Sequence, residues 1–210
     1  MRNLPNRFRA FLRDEDGLIL AEGLIMLPLL IWALVAMFIY WDVFRTINMT
    51  QKAAYSIADL LSRQKNTIPL TYANGLQNIM NFLTPGGHQV KMRITSFECV
   101  SPNLPNKICD ATTGSYRLLF SYSPQNKVLD LMTQAEIQNW KGTNTTPGKI
   151  PTLNNGDSVF VVETTVQFEA QLKTAIAGMM VGVTDNTFGE FIVTRPRHRR
   201  LCLEGTNTCT

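Results

Sequence analysis

The sequence predicts an α+β protein in which a single long N-terminal transmembrane helix extends into a domain built from an antiparallel β-sheet and short helices. Three observations lead to this fold class. Residues 18–41 are almost wholly apolar. The segment that follows keeps a spacing of about 3.6 residues between apolar positions, which is typical of a helix. Later segments alternate apolar and polar residues with a period of two, which is typical of strands.

The predicted membrane span runs from Leu18 to Trp41, and its only charged residue is Glu22. A helix needs about 20 apolar residues to cross the hydrocarbon core of a bilayer, so this stretch is long enough to cross it once. Pro28 lies inside the span, where it removes a backbone hydrogen bond and is expected to kink the helix. The residues therefore predict a leader (1–17), a transmembrane helix and the lipid bilayer as a partner.

Positive charge sets the expected orientation of this span. Four arginines precede it, whereas only Arg45 and Lys52 lie within about 18 residues after it. Because Lys and Arg are retained on the cytoplasmic side of a membrane, we expect the leader in the cytoplasm and residues 42–210 on the opposite side.

The helix is expected to continue beyond the span to about Gln64, since no Gly or Pro occurs from Leu29 to Ile68. Residues 42–66 form this predicted extension, and residues 67–210 form the α+β domain. A second, short helix is predicted between Pro69 and Pro85, and a third between the second and third strands. The apolar positions of the extension are Phe44, Ile47, Ala54, Ile57, Ala58 and Leu61.

Four segments have the period of strands: QVKMRIT, YRLLFSY, VFVVETTVQFEAQL and FIVTRPR. Their alternation predicts an antiparallel sheet with one face in water. Pro196 places the fourth strand at a sheet edge or ends it there. The apolar segment 175–183 is too short to span a membrane. It is expected either to link strands in the core or to form an exposed tip that meets a partner or lipid.

The chain has four cysteines and no C-x-x-C motif. Their spacing suits two local loops, which an oxidising compartment would close as disulfides between Cys99 and Cys109 and between Cys202 and Cys209. Four free thiols and a split metal site are the alternatives. No metal-ligand spacing surrounds either histidine, so zinc is not expected.

The charge pattern and the motifs exclude several classes of function. The net charge of +4 does not indicate nucleic-acid binding, because the basic residues are scattered and no aromatic stacking module accompanies them. The exception is the run RPRHRR (195–200), expected either as a solvated strand edge or as a contact for anionic partners or lipid head groups. No G-x-S-x-G, phosphate loop or H-E-x-x-H motif occurs, so we expect neither enzyme activity nor a cofactor.

Glu22 requires a separate explanation, because a carboxylate in hydrocarbon costs a few kcal/mol at the centre of a bilayer and less near its surface. The apolar run is too long and too continuous for a cleaved signal peptide, which leaves an uncleaved signal-anchor or cleavage after Gly17. Cleavage would make Leu18 the new N-terminus, and its amine could pair with Glu22 of a staggered neighbour and set the register. The alternatives are a carboxylate that reaches the interface and a proton relay.

Gly17 followed by LILAE, the span motif LIMLPLL and a long uninterrupted helix resemble the type IV pilin-like precursors. The short basic leader and the motif TRPR (194–197) at the end of the last predicted strand are most similar to TadE/TadG-like minor pseudopilins of the tight-adherence (Flp) pilus system. This resemblance implies a pilin-like periplasmic domain and a place in the bacterial inner membrane with a cytoplasmic N-terminus. It also implies a prepilin peptidase that cuts between Gly17 and Leu18, and other pilin-like subunits and the pilus assembly platform as partners.

Two functions therefore follow from the sequence. One is a minor pilin-like protein that supports pilus assembly by helix–helix association. The other is a membrane-anchored periplasmic binding or envelope accessory module without a role in pili. The first predicts loss of residues 1–17 and a defect when Gly17 or Glu22 is replaced, whereas the second predicts an intact leader.

Overall fold

The structure is a computed structural model that describes residues 16–101, 108–110, 113–124, 130–142, 148–169, 174–176, 179–181 and 186–206. Its helices are α1 (Asp16–Ser62), α2 (Leu70–Leu83) and α3 (Gln134–Asn139). The general prediction of an α+β fold with a long apolar N-terminal helix and an antiparallel sheet is confirmed. The strands are β1 (Gln89–Val100), β2 (Ile108–Cys109), β3 (Ser115–Tyr122), β4 (Leu153–Asn154), β5 (Ser158–Phe168), β6 (Thr174–Ile176), β7 (Met179–Val181) and β8 (Asn186–Thr194).

The chain divides into two compact units. One contains α1 up to Asp42 and the β6–β7 hairpin, and the other contains the remainder of α1 and the four-stranded sheet.

Helix α1 begins and ends two residues before the predicted bounds, and it continues through Pro28 without a break. The absence of Gly and Pro after this proline explains its length, because neither of the two strongest helix-breaking residues interrupts it. Whether Pro28 kinks the helix stays a prediction.

Within the second unit, α1 packs one face into the core. Ala54, Ile57, Ala58 and Leu61 are fully buried there, as the helical spacing predicts. The prediction was wrong for Phe44, which is 62% exposed. The buried face at that level instead carries Val43 and the two threonines Thr46 and Thr50. Apolar spacing alone misplaced this face, since two of the positions that turn inward are polar.

The main sheet is antiparallel, with the strand order β3–β1–β5–β8. Its centre is fixed by the pairing of Ile94 with Val162 and of Val162 with Ile192. The register of β1 against β3 shifts between Ser96 and Phe97. As Pro196 predicted, β8 is an edge strand that ends before this proline.

Two apolar clusters lie on opposite faces of the sheet. In the first, the buried side chains of α1 and α2 pack against β1 and β5 residues that include Val90, Met92 and Phe160. In the second, Phe97 and Val161 pack with Ile137 of α3 and with Trp140. The expectation of one wet face is therefore wrong for this half of the sheet, since α3 and the segments around β2 and β4 cover it.

The described residues of the apolar segment 175–183 belong to strands β6 and β7, which pair in antiparallel fashion and follow β5 along the chain. The sequence predicted either a core linker or a tip here. The pairing of β6 with β7 leaves the choice between those two interpretations open.

Candidate membrane-spanning and assembly site

The first half of α1 presents an almost uninterrupted apolar surface. The helix is long and apolar enough to cross a membrane once, and only 6% of its most apolar stretch is buried. A core helix of a globular protein buries most of such a stretch, whereas here large side chains such as Leu24, Ile25 and Phe38 are more than 60% exposed. Burial of this surface in hydrocarbon would be strongly favourable, at about 25 cal/mol per Å².

Glu22 lies on this exposed surface. Among the residues that the structure describes, no cation or hydrogen-bond donor is paired with its carboxylate. Buried or membrane-embedded carboxylates normally have a partner, because an isolated charge in a medium of low dielectric is costly. The exposed carboxylate of Glu22 is therefore accessible to a cation that approaches this surface.

The predicted processing site, Gly17–Leu18, lies within α1, next to the first residue that the structure describes. Glu22 follows Leu18 by four residues, about 6 Å along the helix axis, so both lie near the same end of the span.

The three cysteines that the structure describes are oxidised. Cys99 and Cys109 form a disulfide that links β1 to β2 within the second apolar cluster, which confirms the first predicted pair. Cys202 is also disulfide-bonded. Cys209 lies outside the described residues, so the pairing of Cys202 with Cys209 stays a prediction. Within the described residues, no group of three or more His, Cys, Asp and Glu side chains is arranged to hold a metal ion.

The basic run RPRHRR follows β8 and lines a cleft in the second unit. Arg195, His198, Arg199 and Arg200 form part of this cleft, together with Lys65, Glu98 and Asp157 from three other parts of the chain. The basic run can be recognised in the sequence alone. No local sequence pattern identifies Lys65, Glu98 and Asp157, because only the folding of the chain brings these three residues next to the run.

Comparison of the sequence with models of known protein families found no match, and comparisons with curated proteins and with solved structures found none either. The functional argument therefore depends on the residues and their geometry.

Proposed function

We propose that this protein is a minor pilin-like subunit of the TadE/TadG type that supports assembly of a tight-adherence pilus by helix–helix association in the bacterial inner membrane. Its leader lies in the cytoplasm and its sheet domain in the periplasm. A prepilin peptidase removes residues 1–17, and other pilin-like subunits and the assembly platform are its partners.

The observation that carries this proposal is the division of α1 into two parts. One continuous helix has an apolar, exposed first part, while its second part supplies the core of the sheet domain. A simple anchor needs only the first part. A helix whose second part also packs into a domain core does more than hold the chain in the membrane, which supports a role in assembly.

Glu22 supports a specific contact between subunits. After cleavage the α-amino group of Leu18 is cationic below its reference pKa of about 7.7–8.0. The exposed carboxylate of Glu22 lies about 6 Å further along the helix, so the amine of an axially staggered neighbour can reach it. In hydrocarbon, loss of one partner from such a pair costs about 3–5 kcal/mol, because the remaining charge is left uncompensated.

The disulfide between Cys99 and Cys109 supports export of the sheet domain. Disulfides persist in oxidising compartments such as the bacterial periplasm and are rare in the cytosol. This agrees with the orientation that the arginines of the leader predict.

The intact mass of the protein, extracted from membranes of cells that carry the peptidase, tests this proposal. The expected mass is that of residues 18–210. The Gly17→Ala variant should retain the leader, because the peptidase loses the residue it cuts after. A wild-type chain that retains residues 1–17 would contradict the proposal. It would favour the second candidate function, an envelope binding module, and the basic cleft would then belong to that function.

Replacement of Glu22 tests the assembly step separately. Glu22→Gln should strongly reduce crosslinking between neighbouring chains through cysteines introduced into the span, while cleavage and membrane insertion continue. Asp42→Asn is the matched control, since it removes a carboxylate at the other end of the span. Equal crosslinking in both variants would show that Glu22 has no role in association.

A further inference from the structure

The basic cleft of the second unit has a volume of about 1050 Å³. Its walls come from the loop after α1 and from the segment after β8, and its floor comes from the ends of β1 and β5. Lys65 lies on the first wall, and Arg195, His198 and Arg199 lie on the second. A smaller depression of about 370 Å³ is lined by Lys65, Asn66, His198 and Arg199.

Bonds between the two segments hold the walls together. The backbone N–H of Arg197 donates to the carbonyl of Ser62 (2.9 Å), and its guanidinium pairs with Asp59 (2.8 Å). The N–H of Ile68 donates to the carbonyl of Cys202 (2.8 Å). Because these contacts already order both walls, a ligand would not have to pay for arranging them, which favours binding.

The charges in the cleft are unevenly compensated. Arg195 lies 3.3 Å from Asp157, and Arg200 lies 3.6 Å from Glu98. Among the described residues, Lys65 and Arg199 have neither an ion pair nor a hydrogen bond. Among the described lining residues, four cations exceed two carboxylates, so this part of the cleft has a net positive charge. Like-charged side chains in such a cleft attract an anionic ligand.

The shape of the cleft and its mixture of positive and negative side chains indicate which class of anion it binds. A small ion would leave most of a 1050 Å³ open cleft empty, whereas an extended chain can contact both walls. Glu98 pairs with Arg117 as well as with Arg200, and Asp157 pairs with Arg195. Among the described residues of the cleft, this leaves Lys65 and Arg199 as the unpaired cations. Two such cations suit the few carboxylates of a peptide better than the dense charge of a phosphate polymer, which needs many cations.

We propose that this cleft binds an acidic peptide segment of a partner protein, with Lys65 and Arg199 as the residues that contact its carboxylates. This inference concerns only the second unit. It does not depend on cleavage of the leader or on helix association. The binding experiment below can therefore fail while the proposed function stands, and the proposed function can fail while the peptide still binds.

Fluorescence anisotropy of the full chain in a non-ionic detergent tests the proposal. The probe is a labelled peptide of about ten residues in which glutamates alternate with serine and glycine. Because each exposed ion pair contributes modestly, the double variant Lys65→Gln/Arg199→Gln should raise Kd by about fivefold or more, and added salt should weaken binding. Lys52→Gln is the matched control, since it removes an exposed cation of α1 that is not among the lining residues of the cleft. It should leave Kd unchanged.

A second double variant keeps the test valid if the first one misfolds. Lys65→Glu/Arg199→Glu should lose the glutamate peptide and gain a lysine peptide of the same spacing, a reversal that misfolding does not produce. Equal loss in the Lys52→Gln control would overturn the proposal. So would polyphosphate or phosphatidylglycerol vesicles that bind more tightly than the peptide through Lys65 and Arg199, because the ligand would then be phosphate.

Discussion

The Cys99–Cys109 disulfide closes a short loop, and its removal has a calculable effect on stability. The two cysteines are 10 residues apart. In the chain-entropy description, closing a loop of this size destabilises the unfolded state by about 2.7 kcal/mol at 25 °C. A domain of ordinary size is stable by only about 5–15 kcal/mol, so the bond supplies a substantial part of the total. We expect the Cys99→Ala/Cys109→Ala variant to lose at least this amount, since both side chains are also fully buried.

Urea unfolding of the full chain in detergent, followed by circular dichroism, measures this loss. With a slope of about 1–3 kcal/mol per M for urea, the midpoint should fall by roughly 1–3 M. The reduced wild-type protein is the control for the alanine side chains, because it lacks the same bond but retains both sulfur atoms. The reduced variant should unfold at a slightly lower urea concentration than the reduced wild type, by the contribution of the two buried sulfur atoms. A variant that unfolds within about 0.5 M of the oxidised wild type would refute the reasoning.

Three further predictions concern the second unit, each measured by the same urea assay. Ile57→Ala, at a site with no exposed surface, should cost about 2–5 kcal/mol through the cavity it leaves; a loss below 1 kcal/mol would mean that α1 does not pack on the sheet. Glu163→Gln should cost about 1.5–3 kcal/mol, because Arg93 donates to this carboxylate at 2.6–2.7 Å in a site that is less than one-fifth exposed; an unchanged midpoint would contradict it. Hydrogen bonds from the backbone and hydroxyl of Thr133 lower the pKa of Glu136. Its contribution is therefore complete above the ordinary glutamate pKa near 4.3 and is lost as pH falls through the lower folded pKa. Glu136→Gln should flatten the pH dependence of the midpoint below about pH 5, and an unchanged pH profile would show that this carboxylate is not linked to folding.

The position of the buried face of α1 shows the limit of prediction from spacing. The apolar period identified Ala54, Ile57, Ala58 and Leu61 correctly, because there the most apolar side chains also face the sheet. It failed near residue 44, where Phe44 is exposed and Thr46 is buried. A helix close to a membrane is apolar on several faces, so hydrophobicity alone no longer distinguishes a core face from an exposed one.

The sheet shows the same limit. Alternation predicted the four main strands and the edge position of β8, since the two-residue period and Pro196 act on the chain locally. The length of β1 was underestimated, because Thr95 to Cys99 are buried on both faces and lose the alternation. What covers the second face, α3 and Trp140, lies about 40 residues further along the chain.

The sequence by itself determined the properties that depend on neighbouring residues: a span of sufficient length, one uninterrupted helix, a charge at the fifth position after Gly17, and a cysteine spacing that one loop can close. Only the tertiary structure decided which face of α1 is buried, that the sheet is covered on both sides over part of its length, and that Lys65, Glu98 and Asp157 meet the basic run in one cleft. The physical reason is range. Helical and strand periods, loop closure and bilayer thickness act over a few to about twenty residues. The cleft, by contrast, is formed by residues as far apart as Lys65 and Cys202, which become neighbours only when the core packs.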